Sequence, residues 1–187
     1  MSRYLKLISE MKSGSCIILD GATATELERR GVPQIPNAWN GGGALSHPEV
    51  LKDIHKSYIK AGAKVIISNT FANCEHTLKD ANQLHNFEKL NSQGVAIAVE
   101  ARTEEKKLDV LVAAGLSYWS FTDCYPLLKE LQIDVREQAL IMKKAGADLI
   151  MLEMMVDIDR MMVTLNAAKE ANLPIWVGMS CKPNISG

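Results

Sequence analysis

Two carboxylates end apolar runs abruptly: Asp20 follows Cys16-Ile-Ile-Leu19, and Glu153 follows Leu149-Ile-Met-Leu152. A pair of acids converging on one pocket suits a cationic amino group, although charge at a strand end also meets solvent without further purpose. Gly21 comes next to Asp20 and would let a ligand approach the backbone closely, or simply make a turn. Trp39 stands in a loop rich in Pro, Asn and Gly, from Pro36 to Gly43. There it could cover a site or hold an onium cation against its ring face, while packing the loop onto the core is its plainer role. Other apolar runs end in Ser68-Asn-Thr-Phe71, in Gly115-Leu-Ser117 and in Ser180-Cys-Lys182.

Other chemistries find less support. There is no P-loop and no GxGxxG. The cysteines Cys16, Cys74, Cys124 and Cys181 are far apart and form no CxxC pair, so they read as free thiols. Cys74, Cys124 and Cys181 each lie shortly after a strand. Three thiolates on one rim would make a zinc site, against the plainer reading of three unrelated thiols. His47, His55, His76 and His85 lack ligand spacing, and at least three read as surface residues. Met151, Met154, Met155, Met161 and Met162 read as core filler.

The candidate residues need strands to carry them. Five short apolar runs are predicted as strands: Cys16–Asp20, Val65–Asn69, Val110–Ala114, Leu149–Glu153 and Ile175–Ser180. They are continuous rather than alternating, as in a parallel sheet buried on both faces. Helical patterns separate them. Met1–Lys12 reads as a short amphipathic helix. A second helix opens at Ser46-His-Pro-Glu49, where Ser46 or His47 caps and Pro48 fits the first turn. A third, whole or broken, runs roughly from Cys74 to Lys107; the next opens at Asp134, and the last follows Asp157. Two junctions echo each other, Lys60-Ala-Gly-Ala63 and Lys144-Ala-Gly-Ala147. In each, glycine can take the left-handed cap that ends a helix just before a strand. Repeated β–α units imply parallel strands with right-handed crossovers. The pattern fits both an open doubly wound sheet and a (β/α)₈ barrel, and in either the chemistry sits beyond the C-terminal strand ends.

Composition sets the outer bounds. The 187 residues carry 21 basic against 22 acidic side chains, for a formal net charge of −1, with no block of like charge. That argues against nucleic-acid and membrane-surface roles, which need a basic patch. No secretory h-region or membrane-length apolar run is visible, so the chain reads as cytoplasmic. Residues 1–187 read as a single domain.

Several ordered segments resemble the homocysteine S-methyltransferase family. They are Leu19-Asp-Gly-Ala-Thr-Ala-Thr-Glu-Leu-Glu-Arg-Arg-Gly31, His47-Pro-Glu49 with His55, Tyr58-Ile-Lys-Ala-Gly-Ala63 and Ile67-Ser-Asn-Thr-Phe71. Further on come Ala145-Gly-Ala-Asp-Leu-Ile-Met-Leu-Glu153 with Asp157, and Leu173-Pro-Ile-Trp-Val-Gly-Met-Ser180. The resemblance implies a (β/α)₈ TIM-barrel fold, truncated here after about five β-strands. It implies methyl transfer from a sulfonium, betaine or folate donor to homocysteine, forming methionine, with a zinc ion binding the thiol.

By the same resemblance, Asp20 and Gly21 hold the amino-acid end of homocysteine and Glu153 its ammonium group. Ser68 and Thr70 line the pocket, and Trp39 lies beside the methyl donor, although the Gly41-Gly-Gly43 loop departs from the family pattern. The family's zinc cysteines follow strands six and eight, so their positions fall beyond Gly187; Cys181 comes one strand too early. The expectation is a chain inactive alone, or a zinc-free binding or assembly module retaining a half-site. Exposed strand edges would favour self-association or a complementing chain.

Overall fold

The structure, a computed structural model, describes residues 2–181. Lys182, expected beyond the last strand, lies outside them, as does Met1. Helix α1 (Arg3–Lys12) is capped by the Ser2 hydroxyl, and α2 (Thr23–Arg29) and the single turn α3 (Gly43–Ser46) follow. Then come α4 (Pro48–Lys60), β1 (Val65–Ile67), α5 (Glu75–Asp80) and α6 (Phe87–Glu104). The second half repeats the unit as β2 (Leu111–Leu116), α7 (Leu128–Lys144), β3 (Leu149–Met155), α8 (Ile158–Ala168) and β4 (Ile175–Met179).

All four strands are parallel and adjacent in chain order, β1-β2-β3-β4. A doubly wound sheet reverses its order at a switch point, whereas a barrel adds each strand beside the last. The sequential order therefore decides the question that the pattern of runs left open. The junctions behave as read. Gly62 and Gly146 both take φ +105°. After α4, Gly62 N donates to Ile59 O and Ala63 N to Tyr58 O, both at 3.1 Å, and Gly146 and Ala147 repeat the pattern after α7. This paired closure satisfies the last helix carbonyls and turns the chain straight into a strand.

Period two sorts the strand side chains into two cores. Ile66, Val112, Ala114, Leu116, Ile150 and Leu152 face the helices, packing on Val95, Leu131, Val135 and Met142 among others. Val65, Leu111, Ala113 and Leu149 face inward, where Leu7 and Tyr4 of α1 cover them. At the N-terminal end of the sheet, Asp148 ties three elements together. It accepts from Val112 N at 2.9 Å, from Arg102 of α6 and from Arg3 of α1 at 3.1 Å. Arg102 is only 5% exposed, so this ion pair is a buried one.

Three expectations change. The first predicted strand, Cys16–Asp20, runs beside β1 but forms one isolated bridge, Leu19 to Val65. Ile18 and Leu19 are exposed, because the segment has β1 on one side and no described strand on the other. The helix expected to open at Asp134 opens at Leu128, where the Glu130 carboxylate accepts from Leu127 N at 2.9 Å and closes the first turn. The exposed Leu127 and Leu128 had hidden that start. The histidines are not mostly at the surface. His85 is exposed, but His55 is wholly buried in α4 and both its ring nitrogens lack partners.

Candidate active site

The C-terminal strand ends surround a cavity of about 420 Å³. Gly21, Ser68, Trp39 and Glu153 all line it, so the fold joins residues separated by more than half the chain. Asp20 does not line it, but lies close enough to Glu153 for its charge to act there. Ile67 N donates to Asp20 Oδ2 at 2.7 Å, while Oδ1 is shut off from water with no partner. Burial pushes the Asp20 carboxyl up to about 7, against the pull of that N–H. Glu153 is also pushed up to about 7, first by burial and then by the charge of Asp20. Burial disfavours each carboxylate, and the charge of Asp20 adds to this at Glu153, so neither carboxyl ionises readily.

Two glycines make room for this arrangement. A Cβ on Gly115 in β2 would lie 2.4 Å from Glu153 Oε2, so the carboxylate occupies space that any other residue would fill. A Cβ on Gly21 would meet the Tyr58 hydroxyl at 2.8 Å. That hydroxyl donates to Ala22 O at 3.2 Å and fixes the loop after Asp20. Gly21 thus serves helix packing as well as the cavity wall.

Ser68 and Thr70 play different parts. Thr70 Oγ1 donates to Gly115 O at 2.6 Å and pairs with Ser68 Oγ at 2.8 Å. Ser68 reaches the cavity, whereas Thr70 is fully buried, does not line it, and holds Ser68 from behind.

Much of the remaining lining is aromatic. Trp39, Phe71, Trp119 and Phe121 line the cavity, with Phe121 edge-on to both Trp39 and Phe71 at 6.5 Å between ring centroids. Trp39 sits at φ +46°, an uncommon backbone for a bulky residue. Met154 also lines the cavity, which corrects its reading as core filler. Strand alternation would turn Glu153 and Met154 to opposite faces. A register shift between Leu152 and Met155, with Met154 at φ +57°, brings both to the cavity. Of the residues that sequence reasoning named, Gly21, Trp39, Ser68 and Glu153 line the cavity, and Asp20 and Thr70 do not. Asn69 and Phe71, which the sequence placed beyond the end of the second predicted strand, also line the cavity. Sequence reasoning missed Trp119, Phe121, Asn40 and the bulge, which lie where no periodic pattern runs.

Among the described residues, no three His, Cys, Asp or Glu side chains gather so as to hold a metal. Cys74 is buried and its thiol is pushed up to about 11 by that burial, while Cys124 and Cys181 are exposed. The three thiols do not form a ligand set, in keeping with the plainer reading of three unrelated thiols, and the described residues do not fit a zinc ion.

A family model described as homocysteine S-methyltransferase matches residues 17–187. The chain belongs to the homocysteine S-methyltransferase family. Among its relatives, betaine–homocysteine S-methyltransferase 1 of Sus scrofa is 26% identical over 95% of this chain and 64% of its own length. The Mus musculus enzyme of the same name is 26% identical over 95% of this chain but 44% of its own. The chain thus spans about half to two-thirds of the length of these family members. Homocysteine S-methyltransferase 1 of Arabidopsis thaliana is 32% identical over 49% of this chain. A crystal structure of the Escherichia coli homocysteine methyltransferase MmuM, in its metallated form, superposes with a TM-score of 0.76 at 22% identity. It covers 94% of this chain and 66% of its own, and shows the shared fold: α/β of the TIM-barrel type, of which the described residues build one arc.

Proposed function

We propose that residues 1–187 act as one unit carrying the amino-acid side of a methyl-transfer site for homocysteine and an onium methyl donor. The observation behind the reading is the Asp20–Glu153 pair. Both carboxyls are pushed up to about 7; Glu153 lines a cavity that also carries four aromatic side chains, and Asp20 lies close enough for its charge to act on Glu153. An ammonium group placed between them lets both ionise and offsets their repulsion. Gly21 and Ser68 line the same end, with Thr70 fixing Ser68. A fully alkylated cation suits the faces of Trp39, Trp119 and the two phenylalanines. The homocysteine sulfur then attacks the methyl carbon in line. A C–S bond forms as the bond to the donor's heteroatom breaks, the donor leaves without its positive charge, and the thiol proton is lost to solvent. Such a transfer depends on positioning more than on acid–base help. The described residues supply no group that favours the thiolate, so these residues alone are expected to bind without turnover.

Titration calorimetry with L-homocysteine at pH 7, in two buffers of different ionisation enthalpy, tests this reading. Binding should release protons, and affinity should rise as the pH rises through 7. Binding without proton release would sink the assignment of Asp20 and Glu153. No binding at all would sink the homocysteine reading.

A further inference from the structure

A chain of side-chain amides crosses the protein and ends at the cavity. Gln138 of α7 donates to Asn91 Oδ1 at 2.9 Å, and Asn91 of α6 donates to Asn73 O at 2.9 Å. Asn73 donates to Asn69 O at 3.2 Å, Asn69 to Asn40 O at 2.8 Å, and Asn40 to Ala24 O at 2.9 Å. Every amide in the relay is at most 5% exposed. Amides do not titrate in the ordinary pH range, so the relay keeps its form while the neighbouring carboxyls gain or lose protons. Gln138 and Asn91 join amide to amide, and each later step ends on the backbone carbonyl of the next residue, so the relay fixes backbone and side chain together.

Asn73 and Asn40 each leave a buried Oδ1 unpaired, and of these two Asn40 is the one that lines the cavity. Asn40 is 1% exposed and lines the cavity, its amide nitrogen is committed to Ala24 O, and its Oδ1 has no partner. A buried acceptor left unpaired is costly, and native proteins rarely keep one unless something else satisfies it. We infer that Asn40 is a ligand-contact residue whose Oδ1 accepts an N–H from a primary ammonium group bound in this cavity, and that the relay from Gln138 positions it. A primary ammonium has three N–H groups to offer, and a quaternary one has none. Asn40 therefore favours the amino-acid substrate over the alkylated donor. This assignment rests on the homocysteine reading above for the identity of the substrate, but not for the chemistry of the contact.

Fluorescence reports the test directly, because Trp39 and Trp119 both line the cavity. The 187-residue chain is titrated with L-homocysteine, methylammonium and tetramethylammonium. Asn40→Leu removes the acceptor at similar volume and should weaken the first two by about tenfold, leaving tetramethylammonium unchanged. Asn40→Asp keeps an acceptor and should retain homocysteine binding. Should the leucine variant fail to fold by circular dichroism, Asn40→Ala replaces it with the same expected selective loss. Gln138→Leu should show the same selectivity at smaller size, whereas Leu131→Ala, a core change on the same helix, should not. Equal loss for all three ligands, no loss for any, or no binding by the unaltered chain overturns the assignment. Methylammonium binding that is sensitive to Asn40→Leu, without any homocysteine binding, upholds the contact and sinks the substrate.

Discussion

The two ends of the sheet are built on opposite terms. At the N-terminal end Asp148 spends both oxygens on Arg3, Arg102 and Val112 N, and of the groups gathered there Arg102 Nε alone lacks a partner. At the C-terminal end Asp20 Oδ1 and Asn40 Oδ1 stand unpaired, two carboxyls resist ionisation, and Trp39 and Met154 hold left-handed backbones. Charge is present at both ends, so charge by itself does not mark function. The difference is whether each polar atom is already satisfied. Strained and unsatisfied groups persist where the rest of the fold holds them in place, and they gather where a ligand will complete them.

Breaking the satisfied end should have the largest effect. Asp148→Ala leaves Arg102 buried without its partner and should cost about 3–5 kcal/mol, read by urea unfolding. Ligand affinity of the folded fraction should not change. Glu153→Gln should do the reverse. A carboxyl whose folded value is raised to about 7 contributes full stability below its ordinary value of 4.5 and loses it as the pH rises through 7. The glutamine variant should therefore be more stable than the parent at pH 8, by on the order of 2 kcal/mol, while homocysteine binding falls. Loss of stability at pH 8 would show that the charge at this end is structural after all.

His55 sharpens the comparison from the core. Burial lowers it to about 4 from an ordinary 6.5. A histidine so depressed contributes stability above 6.5 and loses it as the pH falls towards 4, because the unfolded chain takes up the proton first. His55→Leu should flatten the acid limb of the stability profile measured between pH 7 and 4. The smallest effect belongs to the bulge. Met154→Gly removes a left-handed methionine and should add about 1 kcal/mol to stability, seen as a raised urea midpoint. A loss of stability would mean that the Met154 side chain contributes more by packing than its backbone costs.

How far the sequence discloses this depends on the range of each cause. Gly62, Gly146, Pro48 and the Asp157 cap act within a few residues, so the helix ends they govern were legible. Asp20 and Glu153 were legible because a charge closing an apolar run is a local signal too. The first strand failed because its pairing depends on neighbours rather than on its own apolar residues. The amide relay was invisible for the same reason, as Gln138 and Asn91 meet across 47 positions. Trp119 and Phe121 sit in a stretch with neither helical nor strand period, and only the folded loop brings them to Trp39. The Met154 bulge breaks the alternation on which strand reading depends.

Gly115 carries one more consequence. The Glu153 carboxylate lies where a methyl group on Gly115 would be, so the location of a charge is decided by an atom that is missing. An experiment that trims side chains to find the important ones would pass over this residue, since it has nothing to trim. Adding a single carbon there would leave Glu153 in the sequence and its flexible stem free to swing aside, yet would move the charge off its mark. In a protein engineer's hands, that position is a dial for the electrostatics of the cavity that touches no ionisable group.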